Sequence, residues 1–490
     1  MKLRPGRFAA IVIVAAWAVA FATHLSRSYV LTDPSAEIVD LTAPTEAKLT
    51  QRGVYYRGTR IGFVREKLAP LKPGFRAEQE GRFILNVLGR QRQIEIAGAA
   101  TLDDGGRLEE FSFRLATSSG RSTFETVVLG KVEGQELALT VRSGGGERSE
   151  RRRLAEPIVL PLGIYHRVAA LGLSSGSTYR LRLFDPLTLT DGEADIRVLE
   201  PEVVRWGEHE EEAYRLRTRF AGLTTTAWVN QQGEVLKEET PLGWTLLKEA
   251  PGSAMEARAV AGVPDVVSTS AVPAIGFAGD AGTLKYARLK LNQFPSSWSA
   301  LEGGRQRIEG EEVIIQKETL PPPTSAELPQ DERRQALASD AFIQADDLEI
   351  RALAERLTLG LSPLASARRI SEWVYESVSK TPTLSLPSAR EVLEQRAGDC
   401  NEHAVLFTAL ARATGVPTRI CTGLAFSQGQ FYYHAWPEVW VGSWLAIDPT
   451  FGQFPADPLH LRLLTGGLEK QYEVLNLLGR GATIEILEAR

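Results

Sequence analysis

Apolar and polar residues alternate along several separate stretches between Gly53 and Glu249: Phe111, Phe113 and Leu115; Leu137, Leu139 and Val141; Tyr179, Leu181 and Leu183. A period of two gives each segment one apolar face and predicts strands. Glu133-Gly134 and Asn230-Gln231-Gln232-Gly233 carry hairpin-turn chemistry between such runs. The pattern predicts an antiparallel β-rich domain over 45–255, curved or partly closed so that its edges are protected. Leu162 to Leu171 interrupts it as a short helix. A second β-type segment follows over 256–318, clearest at Thr283 to Leu291 and Glu312 to Ile315. Leu320-Pro321-Pro322-Pro323-Thr324-Ser325 then reads as a stiff linker, assigned to 319–335.

From 336 to 490 the period becomes helical and then strand-like again. Ile350, Leu353, Ala354 and Leu357 share a helical face, Ser362-Pro363 opens the next helix, and Ser388 with Glu391 has the form of a capping box. Asp399 and Glu402 form another such box. It makes Cys400 the first residue of a helix carrying Val405, Leu406, Ala409, Leu410 and Ala413, closed by Gly415 and Pro417. Phe431 to Val441 and Trp444 to Ile447 predict a β-hairpin. The fold class is therefore multidomain α+β, with the β-rich part first.

Composition narrows the classes. A chain of 490 residues holds two to four domains, and a net charge of −5 gives no basic surface for nucleic acid. The cluster Arg148 to Arg153 is interleaved with glutamates and reads as solvated. At the N-terminus Lys2, Arg4 and Arg7 precede an apolar run from Phe8 to Ala22. That run spans about 22 Å as a helix, short of the ~30 Å bilayer core. Residues 1–27 thus read as a signal peptide or an N-terminal membrane anchor, and the charge order exports the body in either case.

The candidate chemistry centres on Cys400. A thiol at a helix N-terminus sits near about half a positive charge, which favours thiolate. His434 and Asp448 follow, one on each arm of the hairpin. A two-residue loop would put them on opposite faces. A three-residue loop, Val441-Gly442-Ser443, pairs Trp440 with Trp444 and makes His434 a diagonal neighbour of Asp448 at about 7–8 Å. Pro437 lacks a ladder donor and predicts a bulge or a local edge. Cys400, His403, His434 and Asp448 could also be weighed as zinc ligands, but one C-x-x-H pair without a second argues against a metal, and no cofactor motif occurs. Cys421 reads as a buried free thiol.

Gly398-Asp399-Cys400 with Glu402-His403-Ala404, Gly415-Val416-Pro417-Thr418-Arg419, His434-Ala435-Trp436 with Glu438-Val439, and Trp444 with Asp448-Pro449-Thr450 together resemble the core of the transglutaminase-like superfamily, a branch of the papain-like thiol enzymes. The likeness covers about Leu348 to Phe454. It implies a papain-like α+β fold with Cys400 as nucleophile, His434 as general base and acid, and Asp448 as the orienting residue. It also implies acyl transfer from an amide in a protein or peptide substrate, through a thioester, to water in a hydrolase or to an amine in a cross-linking acyltransferase. The expectation is an exported thiol hydrolase of the protease or amidase kind. The alternative is a non-catalytic cell-envelope binding or assembly protein that works through its β domains.

Overall fold

The computed structural model describes residues 46–490, except 88, 105–106, 120–121, 242, 251–262, 270, 278, 295–301, 321–325, 382–386, 467–473 and 475–480. The segment expected to act as signal or anchor, and Pro321, Pro322 and Pro323 of the linker, lie outside the described residues. Among those residues no helix is long and apolar enough to cross a membrane.

The alternating segments form one sheet of fifteen strands. Each strand pairs with its neighbour in sequence, and the two resulting meanders join where Lys48–Tyr56 pairs with Trp244–Lys248, Tyr56 opposite Trp244. The expected turns are hairpin tips. Gly134 takes φ +65° between Glu133 and Glu136, and Asn230 Oδ1 accepts from the N–H groups of Gln232 and Glu234. The short helix occupies Ile164–Leu171 and lays Ile164, Tyr165 and Val168 on the sheet.

The edges are the charged strand Gly146–Arg153 and the two-residue strand Ile158–Val159, both poor templates for further pairing. The sheet curls between them. Arg152 donates to the Leu189 carbonyl, and one apolar core joins Leu137 and Leu139 from one meander to Leu160 and Phe184 from the other.

A second sheet gathers strands from both sides of the proline segment. Its order is Gln306–Glu309, Glu312–Gln316, Tyr286–Asn292, Thr483–Ala489, Val272–Ile275, Gln430–Trp440, Thr418–Ser427 and His460–Thr465, with Trp444–Ala446 also on Gln430–Trp440. Thr483–Ala489 sits centrally, antiparallel to Tyr286–Asn292 and parallel to Val272–Ile275. Helix Gln330–Leu337 starts inside the stretch assigned to the linker, and its Glu332 accepts from Trp444 Nε1 at 3.2 Å.

Helices Leu348–Thr358, Pro363–Ser377 and Ala389–Gln395 surround helix Cys400–Ala413, which lies against strand Gln430–Trp440 on its other side. Asp347 and Ser362 cap the first two. Ser388 caps the third, accepting the Glu391 N–H at 3.2 Å. The capping box expected there is only half made. The Glu391 carboxylate turns to the large sheet instead, accepting from the Glu125 N–H at 3.0 Å and from Ser143 Oγ at 2.9 Å. Gly144 permits this approach, because a Cβ there would stand 2.4 Å from Glu391 Cβ.

Burial outweighs these hydrogen bonds and lifts the Glu391 carboxyl to about 7. A raised carboxyl stabilises the fold while protonated. Its contribution is complete below the ordinary value of 4.5 and fades as pH rises through about 7, a difference of about 3 kcal/mol. Glu391→Gln keeps an acceptor without the titration, so its unfolding free energy should change less between pH 5 and pH 8 than that of the unmodified chain. An equal change in unfolding free energy between the two pH values for variant and unmodified chain, read from urea titrations, would show that the joint between sheet and helix does not carry this dependence.

Candidate active site

The Cys400 helix starts as its residues dictate. Asp399 accepts the Asn401 N–H at 3.1 Å, and Glu402 Oε2 accepts the Asp399 N–H at 2.8 Å, so this capping box is complete. Gly398 has no room for a side chain, since a Cβ would fall 2.2 Å from Glu402 Cβ. His403 folds back on the cap with Nδ1 2.6 Å from the Asp399 carbonyl oxygen, fully buried.

The expected ionisation of Cys400 is reversed. Burial pushes the thiol well above its ordinary value, with Asp399, Glu402 and Asp448 adding to the rise and a backbone hydrogen bond from Ala435 opposing it. The positive helix end is real, but the Asp399 carboxylate accepts the Asn401 N–H there, and the Glu402 carboxylate accepts the N–H of Asp399 itself. At rest Cys400 is a neutral thiol.

The hairpin turns through Val441, Gly442 and Ser443, with Trp440 opposite Trp444 and Glu438 opposite Ala446. No bulge occurs at Pro437. The ladder to Thr418–Ser427 runs unbroken from Thr418↔Val439 to Ser427↔Gln430. The missing N–H falls on the other side, where the Pro437 carbonyl accepts from Ile447 and the short strand ends. That early end frees Asp448 to turn.

Asp448 is fully buried and uses each oxygen differently. Oδ1 accepts the N–H groups of Thr450 and Phe451 at 2.7 and 3.0 Å, closing a turn. Oδ2 stands 2.8 Å from His434 Nε2, which leaves Nδ1 as the free nitrogen of that ring. Phe451 stacks on His434 at 4.7 Å between centroids. Cys400, Asn401, Tyr433, His434 and Phe451 all line one cavity of about 2920 Å³. The structure therefore pairs His434 with Asp448 and puts Cys400 and His434 on the wall of one cavity.

His460 was not expected from the sequence. Its Nε2 lies 2.9 Å from the same Asp448 Oδ2, and its Nδ1 lies 3.1 Å from Asp457 Oδ1. Burial acts to lower its pKa, but Asp457 and Asp448 outweigh that and lift it to about 9, so it is an imidazolium. The same contacts hold Asp457 near 2 and Asp448 far below the ordinary carboxyl range, against the burial of each. The only sequence signal was the spacing Asp457…His460, set among just six histidines. Ligand atoms of His434, Asp448 and His460 lie within 4.8 Å of one another, close enough to hold a metal ion. Cys400 and His403, also weighed as zinc ligands, are not part of that group.

Residues 351–449 match the Transglutaminase-like superfamily. This region is transglutaminase-like. A solved structure from Cytophaga hutchinsonii, described as a candidate cysteine protease, shares 23% identity over 36% of this chain and 63% of its own, with a TM-score of 0.27. The chain thus spans just under two thirds of that protein's length. A DUF1089 family protein from Pseudomonas aeruginosa shares 14% identity over 39% of this chain and 89% of its own, with a TM-score of 0.22. No curated protein sequence matches the chain.

Beneath the transglutaminase-like hairpin lies a second buried charge cluster. Glu438 accepts from Arg462 Nη1 at 2.9 Å and from Arg419 Nη2 at 2.6 Å, and Arg462 also donates to the Gly303 carbonyl. Cys421 is fully buried beside it as a free thiol, its pKa raised by burial and by Glu438.

Proposed function

We propose that the chain is an exported thiol acyl-transfer enzyme that opens an amide bond and passes the acyl group to water. The arrangement that carries this reading is the buried His434–Asp448 pair beside a thiol at a helix start, with thiol and imidazole lining one cavity. Export rests on Lys2, Arg4 and Arg7 ahead of the apolar run from Phe8.

Because Cys400 is neutral at rest, His434 works as a general base during attack and not as half of a standing ion pair. His434 takes the Sγ proton as the sulfur–carbon bond forms, then gives it to the leaving amine as the carbon–nitrogen bond breaks. Water, deprotonated by the same nitrogen, then adds to the thioester carbon; as the carbon–sulfur bond breaks the proton passes to Sγ, which restores the neutral thiol and releases the acid. Asp448 holds the ring in the tautomer that leaves Nδ1 facing the reaction. The donor proposed for the developing oxyanion is the backbone N–H of Cys400.

Alkylation by iodoacetamide, mapped to Cys400 across pH, tests the resting state. Its midpoint should lie above the ~8.5 of a free thiol. A midpoint far below that value, lost in His434→Ala, would replace the general-base order with an ion pair. Amide turnover should disappear in Cys400→Ala and survive in Cys421→Ser. Turnover that persists without Cys400 would sink the thiol-enzyme reading.

A further inference from the structure

The cavity at Cys400 is not confined to the transglutaminase-like region. Most of its wall belongs to the fifteen-stranded sheet, with apolar residues such as Phe83 and Ile94 and charged ones such as Arg180, Glu193, Asp195 and Arg219. Leu246, Val54, Gly62, Phe83 and Ile94 stand in one row across five adjacent strands, so the curl of the sheet turns a continuous apolar face inward. Among the described residues, part of that face is only half-covered. Ile96, Leu115, Trp244, Leu246, Val266 and Val267 border the cavity and are only half-buried. At about 2920 Å³ the space is roughly three times the upper end for drug-sized ligands.

The wall suits some occupants and not others. Its backbone N–H and C=O groups are used in ladders between neighbouring strands. The polar side chains deepest in it are also engaged, Arg52 with Glu66 and, at 3.9 Å, Glu238. A peptide threaded along this face would leave its own backbone groups without protein partners, which is unfavourable. An aliphatic chain has no such groups to satisfy. At the rim, Arg197 and Arg217 stand directly opposite one another and both line the cavity. Among the described residues no carboxylate pairs with either. Like charges facing across a ladder are unfavourable unless an anion shares them.

We infer that the cavity receives the long aliphatic chain of an anionic amphiphile, whose amide is thereby presented to Cys400. The reacting bond rests on the thiol-enzyme reading above; the seating of the chain does not. The substrate class is thus a lipid-bearing amide, with its anionic group at Arg197 and Arg217.

Binding is measured on the full chain carrying Cys400→Ala, by titrating alkyl phosphates of eight to sixteen carbons against a fluorescent fatty-acid reporter. Affinity should rise about tenfold for every two methylenes buried. Alkyl trimethylammonium of equal length should bind at least tenfold more weakly, and that preference should shrink in Arg197→Ala. Arg197 is exposed, so its loss leaves the fold intact; Leu115→Glu should remove the chain-length dependence. Affinity indifferent to chain length, equal affinity for the cationic series, or displacement of the reporter by an apolar peptide as readily as by the alkyl phosphate would overturn the inference. Chain-length-dependent binding without amide turnover in the unmodified chain would support the cavity assignment while removing the thiol-enzyme reading. Turnover of acetyl and long-chain amides at equal kcat/KM would do the reverse.

Discussion

Asp448→Ala should lower amide turnover by about four orders of magnitude, the scale seen when the carboxylate of a nucleophile–histidine–carboxylate triad is replaced. It should also destabilise the fold by about 3–5 kcal/mol, because it strips partners from a buried cation. The two losses arise from different oxygens. Removing Oδ2 leaves His434 without an orienting acceptor and leaves the His460 imidazolium with Asp457 alone. Removing Oδ1 orphans the N–H groups of Thr450 and Phe451. Asp448→Asn keeps the volume and the turn acceptor, so it should recover more stability than turnover. Melting curves and steady-state kinetics on both variants separate the effects, and near-normal turnover in the alanine variant would take Asp448 out of the mechanism.

The same cluster sets a pH window. The contribution of His460 is complete below about 6.5 and fades as pH rises through about 9. The contributions of Asp448 and Asp457 are complete above the ordinary carboxyl value of 3.8 and fade as pH falls, for Asp457 through about 2. In His460→Gln the loss of stability above pH 8 should be smaller than in the unmodified chain.

Glu438→Ala is the second large effect expected. Glu438 is 1% exposed and Arg462 is 3% exposed, so truncating the carboxylate leaves a guanidinium without its counter-charge inside the sheet. Loss of one partner of such a pair costs about 3–5 kcal/mol, whereas an apolar replacement of the whole pair is often neutral. Glu438→Leu combined with Arg462→Met should therefore recover most of what Glu438→Ala loses in urea unfolding. A double variant as unstable as the single one would mean that Arg419, which also binds Glu438, is the group left stranded.

What could be read from sequence was decided within a few residues. The Asp399–Glu402 cap and the turn at Val441-Gly442-Ser443 belong to that class, as do the alternating strands. His460 was missed because only sheet order brings it near: it lies twelve residues beyond Asp448, on a strand aligned with Thr418–Ser427. Glu391 was read as a cap for the same reason, since its partners Glu125 and Ser143 sit far back in the chain. Cys400 shows the error most clearly. The charge of a helix end can be seen in a sequence, but the burial and crowding of carboxylates that overcome it cannot. The cavity was equally hidden, because alternation shows that a strand has an apolar face but not what covers it.

The central place of Thr483–Ala489 in the second sheet bears on how the molecule is made. That strand leaves the ribosome after Cys400, His434, Asp448 and His460 have all emerged. Until it arrives, Val272–Ile275, which flanks the His434 strand at Phe431, lacks its other neighbour. The sheet that carries the His434 strand is therefore completed only by the last of its strands to be synthesised.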